Sequence, residues 1–366
     1  MIYITKKMYK AFENYENFEN TCYKLRGVKP IFNQIEIIET YPLYNDVIGS
    51  LEYAAAIHKE VRRFLQPYLR PGIKLEHIAE IIELKTKELS NQSKSINKGI
   101  GFPVGLSVNE CAAHFHPKPN DSIVLNENDI LKIDFGTEAN GWIIDSAFTI
   151  CFDKKYDKLM LAVKEATETG IKNIGIDVDI GDWGKQIQEV MESYEVTING
   201  NTHPIRAINN LGGHNIVQGI IHGGMFLPAV NMKDRLQNNY KFKEGVYAVE
   251  TFGSTGSKSV QEIGDCTLYR INPDMINNTS GLKQESTKKL LYDINKNFKT
   301  LPFTNRYINN LKIPNYETSL KLLSNNNYIH GYPPLCANKN DWTAQYEHTV
   351  YIGEAKKIIF SRGEDY

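Results

Sequence analysis

Two aspartates in one predicted hairpin constrain this chain more than any other feature. Residues 130–135 (ILKIDF) and 142–152 (WIIDSAFTICF) read as strands, and Asn140-Gly141 between them is a strong two-residue turn signal. With that turn, Ala139 pairs with Trp142 and Asp145 faces Gly136. Asp134 is then the diagonal neighbour of Asp145 on the same face, within its reach. Gly136 between them leaves room for something bulky. Two adjacent carboxylates in an otherwise apolar hairpin repel unless a cation or a shared proton lies between them. The alternative is a solvent-washed face on which both acids are ordinary.

Other polar residues interrupt apolar strands. Glu250 in VYAVETFG shares a face with Val246 and Ala248. If buried, it needs a partner, either a cation or a set of backbone donors; on an edge strand it would face water. Glu347 in AQYEHTVYI follows the same logic, although Glu-His also suits a surface strand. His214 and His222 lie in LGGHNIVQGIIHGG, an even number of residues apart, so one extended strand would present both on one face. Gly212, Gly213, Gly223 and Gly224 allow close approach of backbone to a ligand. His114 and His116 lie in NECAAHFHPKPND; a loop histidine among Pro and Asp is ordinarily a surface residue, and His116 is read as one. Taken together, Asp134, Asp145, His214, Glu250 and Glu347 suit Mn, Co, Fe or Zn with water, and without thiolates they do not suit a structural zinc. A pair of such ions roughly 3.5–4 Å apart can share a hydroxide and clamp a carbonyl.

The rest of the chain supplies the frame. Helical spacing runs over 44–69 and 75–89, separated by Pro71-Gly72, and again near 155–174 and 181–194. Strand-like segments fall around 196–208, 214–222 and 246–252. The order of helices, hairpin, helices and strands predicts an α+β fold with an antiparallel sheet. Residues 1–40 read as an irregular leader. An Asn-, Ser- and Lys-rich boundary followed by helical periodicity marks 270–332 as a helical insertion, leaving 41–269 and 333–366 as one catalytic domain. The net charge of -1 shows no basic excess for nucleic acid, and no apolar run reaches the roughly 20 residues of a membrane helix. Five widely spaced cysteines without a C-x-x-C pair, and no signal-peptide pattern, point to the cytoplasm.

The order Asp, Asp, His, Glu, Glu, each in its own setting, resembles the pita-bread metallopeptidases. The strings GFPVGLSVNECAAHF, LKIDFGTEANGWIIDSAFT, KQIQEVMESYEV, AVETFGSTG, YPPL and AQYEHT look like methionine aminopeptidase type 2, from about residue 45 to Tyr366. The insertion between Glu250 and Glu347 fits type 2 and not type 1. The resemblance implies a curved antiparallel sheet flanked by helices and two divalent ions per chain. It implies removal of the initiator methionine from new chains with a small second residue, by a hydroxide shared between the metals. By position, Asp134 would chelate one metal, Asp145 and Glu347 would bridge, and His214 and Glu250 would complete the other site. Glu250 would also shuttle a proton. His222 would contact the scissile peptide, and His114 matches the histidine alkylated by fumagillin-type inhibitors. Phe102, Ile221, Tyr332 and Leu268 would line the methionine pocket. The implied partners are nascent polypeptides, with ribosome association compatible with them, and a monomeric state. The other activities open to this fold are an X-Pro peptidase of the prolidase kind and a non-catalytic binding protein. Three positions depart from the family: Gly212 stands for Asn, Leu268 for a pocket histidine and Pro302 for a pocket alanine. They bear on side-chain selectivity and inhibitor fit rather than on hydrolysis.

Overall fold

The computed structural model describes residues 46–91, 97–232, 240–276 and 279–366, so the expected leader 1–40 lies outside the described residues. Helix α1 (Val47–Leu65) starts where Asp46 accepts a hydrogen bond from Gly49 N at 2.7 Å. It buries Leu51, Ala54, Val61 and Leu65, the face read from their spacing. It stops before the predicted end, because Pro67 turns residues 66–68 into a single 3-10 turn. Helix α2 (Leu75–Ser90) ends at Asn91, whose left-handed φ of 52° closes the last turn.

Strands β1 (Lys98–Val108), β2 (Cys111–Ala113), β3 (Ile130–Ala139) and β4 (Trp142–Cys151) follow. Asn140 and Gly141 both take positive φ, as a two-residue hairpin turn requires. The register is the predicted one: Ala139 pairs with Trp142 and Gly136 with Asp145. Strand β1, hidden in the sequence by Gly99, Gly101, Pro103 and Gly105, pairs with β3 through two irregularities. The three-stranded sheet therefore runs β1-β3-β4.

Helices α3 (Asp157–Asn173) and α4 (Ile180–Glu192) come next, then the hairpin β5 (Glu195–Ile198) and β6 (Asn201–Pro204). After β7 (Arg206–Ala207) come β8 (Gly212–Ile216), β9 (Phe226–Pro228) and β10 (Gly245–Ser254). Strand β11 (Gln261–Glu262) and β12 (Leu268–Ile271) lead into α5 (Glu285–Phe298), β13 (Phe303–Thr304), α6 (Asn305–Asn310), α7 (Tyr316–Asn325) and β14 (Ile329–Tyr332). Strands β15 (Leu335–Cys336), β16 (Thr343–Ile352) and β17 (Lys357–Ile359) complete the order. The second sheet runs β17-β16-β10-β8-β9, with β7 on β10, and every pair in it is antiparallel. The architecture is thus the α+β one expected.

The stretch read as a helical insertion also holds strand: β12 pairs with both β13 and β14, which sets Leu268 opposite Tyr332. Its apolar cluster, including Leu290, Ile294, Phe303 and Leu323, is separate from the main core. A buried ion pair between Arg306 and Glu83 ties α6 to α2. Among the described residues no helix is long and apolar enough to cross a membrane.

Strand β4 and strand β16 lie side by side without a shared ladder of backbone bonds; hydroxyls join them. Thr349 Oγ1 accepts from Asp145 N at 2.8 Å and donates to Asp145 O at 2.7 Å. Thr149 Oγ1 makes the reciprocal pair with Gln345 N and O. Ser146 Oγ donates to Glu347 O at 2.8 Å, which leaves its lone pairs to accept from Tyr366 Oη at 2.6 Å.

Glu138, buried in β3 near the turn, accepts from Gly141 N at 3.0 Å. Burial raises its carboxyl to about 7. A pKa raised on folding contributes stability below the ordinary carboxyl value of about 4.3, and that contribution is lost as pH rises toward 7. Glu138→Gln is therefore expected to remove part of a downward slope in unfolding free energy between pH 4.5 and 7, at most about 1.4 kcal/mol per unit. Urea denaturation across that range tests it, and identical slopes in both proteins would refute it.

Candidate metal centre

Each acidic candidate sits where the two sheets meet. Asp134 and Asp145 come from the β3-β4 hairpin, Glu250 from β10 and Glu347 from β16, with Glu250 and Glu347 direct register partners. His214 on β8 reaches Asp145, with Nε2 3.3 Å from Oδ2. Ligand atoms of Asp145, His214 and Glu347 gather in one group, and those of Asp134, Glu250 and Glu347 in a second. The five residues are thus divided between two groups, with Glu347 common to both. The solvent-washed alternative for the hairpin face does not hold, since Asp145 is 4% exposed. The bulky group for which Gly136 leaves room is the Phe102 ring: a Cβ at 136 would lie 2.2 Å from it.

The electrostatics of the cluster are unfavourable on their own. Burial, and then the charge of Asp145, push the Asp134 carboxyl well above its usual range. Burial followed by neighbouring carboxylates does the same to Glu250 and Glu347. Burial raises Asp145 to about 7. Asp134 Oδ1 and both carboxylate oxygens of Glu347 are buried with no hydrogen-bond partner. Isolated buried carboxylates cost several kcal/mol. A divalent cation supplies what these orphaned oxygens lack, so the donor set fits a hard metal ion.

Gln345 is a participant that sequence reading missed. Its Nε2 donates to Glu250 Oε1 at 2.6 Å and to Asp134 Oδ2 at 3.2 Å. The available signal was its place two residues before Glu347, on the same strand face. His116 is a correction. It is 4% exposed, and its ring is held between the carbonyls of His114 at 3.1 Å and Pro103 at 3.3 Å. The loop after β2 turns back against β1, so that Pro103 of β1 covers the ring that its Pro- and Asp-rich setting would place at the surface.

The histidines also meet for a different reason than predicted. Strand β8 ends at Ile216, and residues 217–220 form a tight reversal. That turn, pinned by Gly223 N donating to Asn215 O at 2.8 Å, brings the His222 ring to 4.4 Å from the His214 ring, edge to face. Tyr332 lies within ring contact of His114 and His222, at 5.8 and 6.2 Å. Burial lowers His114 and His214 to about 4. Desolvation, then His214 and Arg270, lower His222 to about 3. All three rings are neutral near pH 7.

A cavity of about 170 Å³ opens onto this cluster, with Phe102, Ile221, Leu268 and Tyr332 as its apolar walls. Gly212 and Pro302, two of the departures noted in the sequence, line it as well.

The family model described as Metallopeptidase family M24 matches residues 49–262. The chain belongs to that family. Among curated M24 relatives, methionine aminopeptidase 2 of Komagataella phaffii is 48% identical over 324 residues, 88% of this chain and 71% of the relative. Methionine aminopeptidase 2-1 of Talaromyces stipitatus is 46% identical over 328 residues, 88% and 73%. Of the solved structures, a thermophilic Arx1 superposes with a TM-score of 0.73 at 18% identity, covering 89% of this chain and 93% of that one. Methionine aminopeptidase from Thermotoga maritima gives 0.56 at 17%, covering 88% and 100%. At such identities these two speak for the fold alone. M24 membership implies a divalent metal cofactor, in accord with the orphaned carboxylate oxygens.

Replacing Gln345 by Ala should weaken divalent metal binding about 10- to 100-fold, the usual effect of losing a group that orients metal-binding carboxylates. Calorimetric titration of chelator-stripped protein measures it. Equal affinity in the two proteins would show that Gln345 does not position the carboxylates.

Proposed function

We propose that this chain is a methionyl aminopeptidase that removes the initiator methionine from polypeptides whose second residue is small. The observation that carries the reading is the meeting, at one cavity, of a buried carboxylate cluster with orphaned oxygens, three histidines and an apolar wall. The high identity to methionine aminopeptidases 2 over most of the chain supports it.

Asp134, Asp145, His214, Glu250 and Glu347 would hold two divalent ions, of Co, Mn, Fe or Zn. Bound there, such ions make water nucleophilic at neutral pH and polarise a carbonyl. The residues of the chain do the rest. Phe102, Ile221, Leu268 and Tyr332 take up the methionine side chain and exclude water. Glu250, held by Gln345, accepts the proton of the attacking water and passes it to the leaving amine. His222 and His114, neutral and therefore able to donate one ring N–H, stabilise the oxyanion as it forms. Their neutrality matters, since added positive charge beside the cluster would oppose metal binding. The substrates on this reading are new polypeptides, met in the cytoplasm by a monomeric enzyme close to the ribosome.

Glu250→Gln is expected to lower kcat on Met-Ala-Ser by about 10²–10⁴-fold while the circular dichroism spectrum stays unchanged. Wild-type turnover by the metal-loaded variant would overturn the role of Glu250. The wild-type protein should cleave Met-Ala-Ser far faster than an X-Pro peptide, and the reverse preference would make it a prolidase.

A further inference from the structure

Phe226 plays no part in the chemistry above, yet it stands beside it. On β9 it is the register partner of His214 on β8, so the two side chains leave one face of the sheet together. Its ring lines the cavity but is 40% exposed. Its backbone is fixed on both sides. Phe226 N donates to Tyr240 Oη and the same hydroxyl donates to Phe226 O, each at 3.2 Å, while Met225 N donates to Asn215 Oδ1 at 2.8 Å. The mouth of the site thus carries an apolar ring on a backbone held at both ends and, among the described residues, partly open on one side.

Gly212 explains how the ring comes to lie there. A Cβ at 212 would stand 2.4 Å from Leu227 O and 3.4 Å from Phe226 Cε2. The ring therefore leans over a bare stretch of β8, into space that a side chain at 212 would claim.

We infer that Phe226 is a specificity-determining residue: its ring seats the side chain of the third residue of the substrate and selects an apolar or aromatic one. The inference rests on the aminopeptidase reading. The first side chain enters the enclosed wall of Leu268 and Tyr332. The second residue, small, lies at the carboxylates. An extended peptide advances about 3.3 Å per residue, so the third residue lies roughly 7 Å beyond the first, where the chain is leaving the cavity. An aromatic ring part-open to solvent on a backbone held at both N and O suits an apolar group arriving at that point, because the strand that carries it need not be ordered on binding.

The test compares methionine release from Met-Ala-Phe-Ser, Met-Ala-Leu-Ser, Met-Ala-Gly-Ser and Met-Ala-Asp-Ser by the manganese-loaded full chain. Wild type should favour Phe over Gly at the third position by about 10-fold in kcat/KM, expressed in KM. In Phe226→Ala that ratio should fall to near one, and in Phe226→Leu to an intermediate value. Because the result is a ratio within one preparation, a general loss of activity cancels. Manganese affinity is measured alongside: disturbance of neighbouring His214 alone would weaken it and leave the peptide ratio where it was, and that result counts against the inference. An equal ratio in wild type and Phe226→Ala also overturns it. If wild type releases methionine from none of the peptides, the aminopeptidase reading itself fails and takes the inference with it. Release from all four at equal rates sinks the inference alone.

Discussion

The seam between β4 and β16 is the constraint on which the site depends. These strands belong to different sheets, and backbone pairing does not join them. Reciprocal bonds from Thr149 and Thr349, with one from Ser146, take its place. A hydroxyl that both donates and accepts acts as a spacer between two strands and satisfies their buried N–H and C=O groups. The spacing sets Asp145 against Glu347 and leaves their carboxylates facing one another with no donor between them. An ordinary ladder would have drawn the strands closer and left less room for anything between the side chains. Tyr366, whose hydroxyl closes the chain through Ser146 to the Glu347 carbonyl, holds the seam from behind.

That arrangement is unfavourable without a cation. Asp134 Oδ1 and both oxygens of Glu347 have lost water and gained no partner, and burial, then the charge of Asp145, pushes both carboxyls up. The surrounding fold must carry that load, and the main apolar core extends from α1 across both sheets. Metal affinity and folding are coupled in such a site, because binding relieves a repulsion that folding creates. Gln345 limits the strain by giving one amide group to two carboxylates, and it leaves the remaining oxygens for the metal.

Much of this was legible in the sequence, and the reasons are local. The Asn140-Gly141 turn fixes a register with period two, so the pairing of Asp145 with Gly136 followed from counting. The amphipathic helices were readable because one stripe of each faces the core. Strand β1 was not readable, since its glycines and Pro103 erase the alternation that marks a strand, and their purpose appears only when Phe102 is seen lying over Gly136. Strands β12 to β14 are too short to outweigh the helical periodicity around them. The approach of His222 to His214 was expected for an extended strand, and a tight turn brings it about instead. Gln345 gave no signal by itself, because an amide in a strand is informative only once the carboxylates it serves are known to be within reach.

The distribution of departures within the site carries the last point. The four acidic candidates sit on ten-residue strands, each opposite a register partner, and His214 sits between β10 and β9. A change there would leave an uncompensated buried charge, which costs more than most folds can absorb. The departures at Gly212, Leu268 and Pro302 all lie on the cavity wall, two of them at short elements or in a connecting loop, where side chains can change size without moving a strand. Gly212 is the instructive case. It is on the same strand as His214, yet its backbone packs so closely on Leu227 O that no side chain fits, and the space above it passes to Phe226. The strand that anchors the chemistry thus keeps its position while the surface presented to the departing peptide changes character. Hydrolysis and selectivity are physically separable here because the first depends on the seam between the sheets and the second on what is laid over their edge.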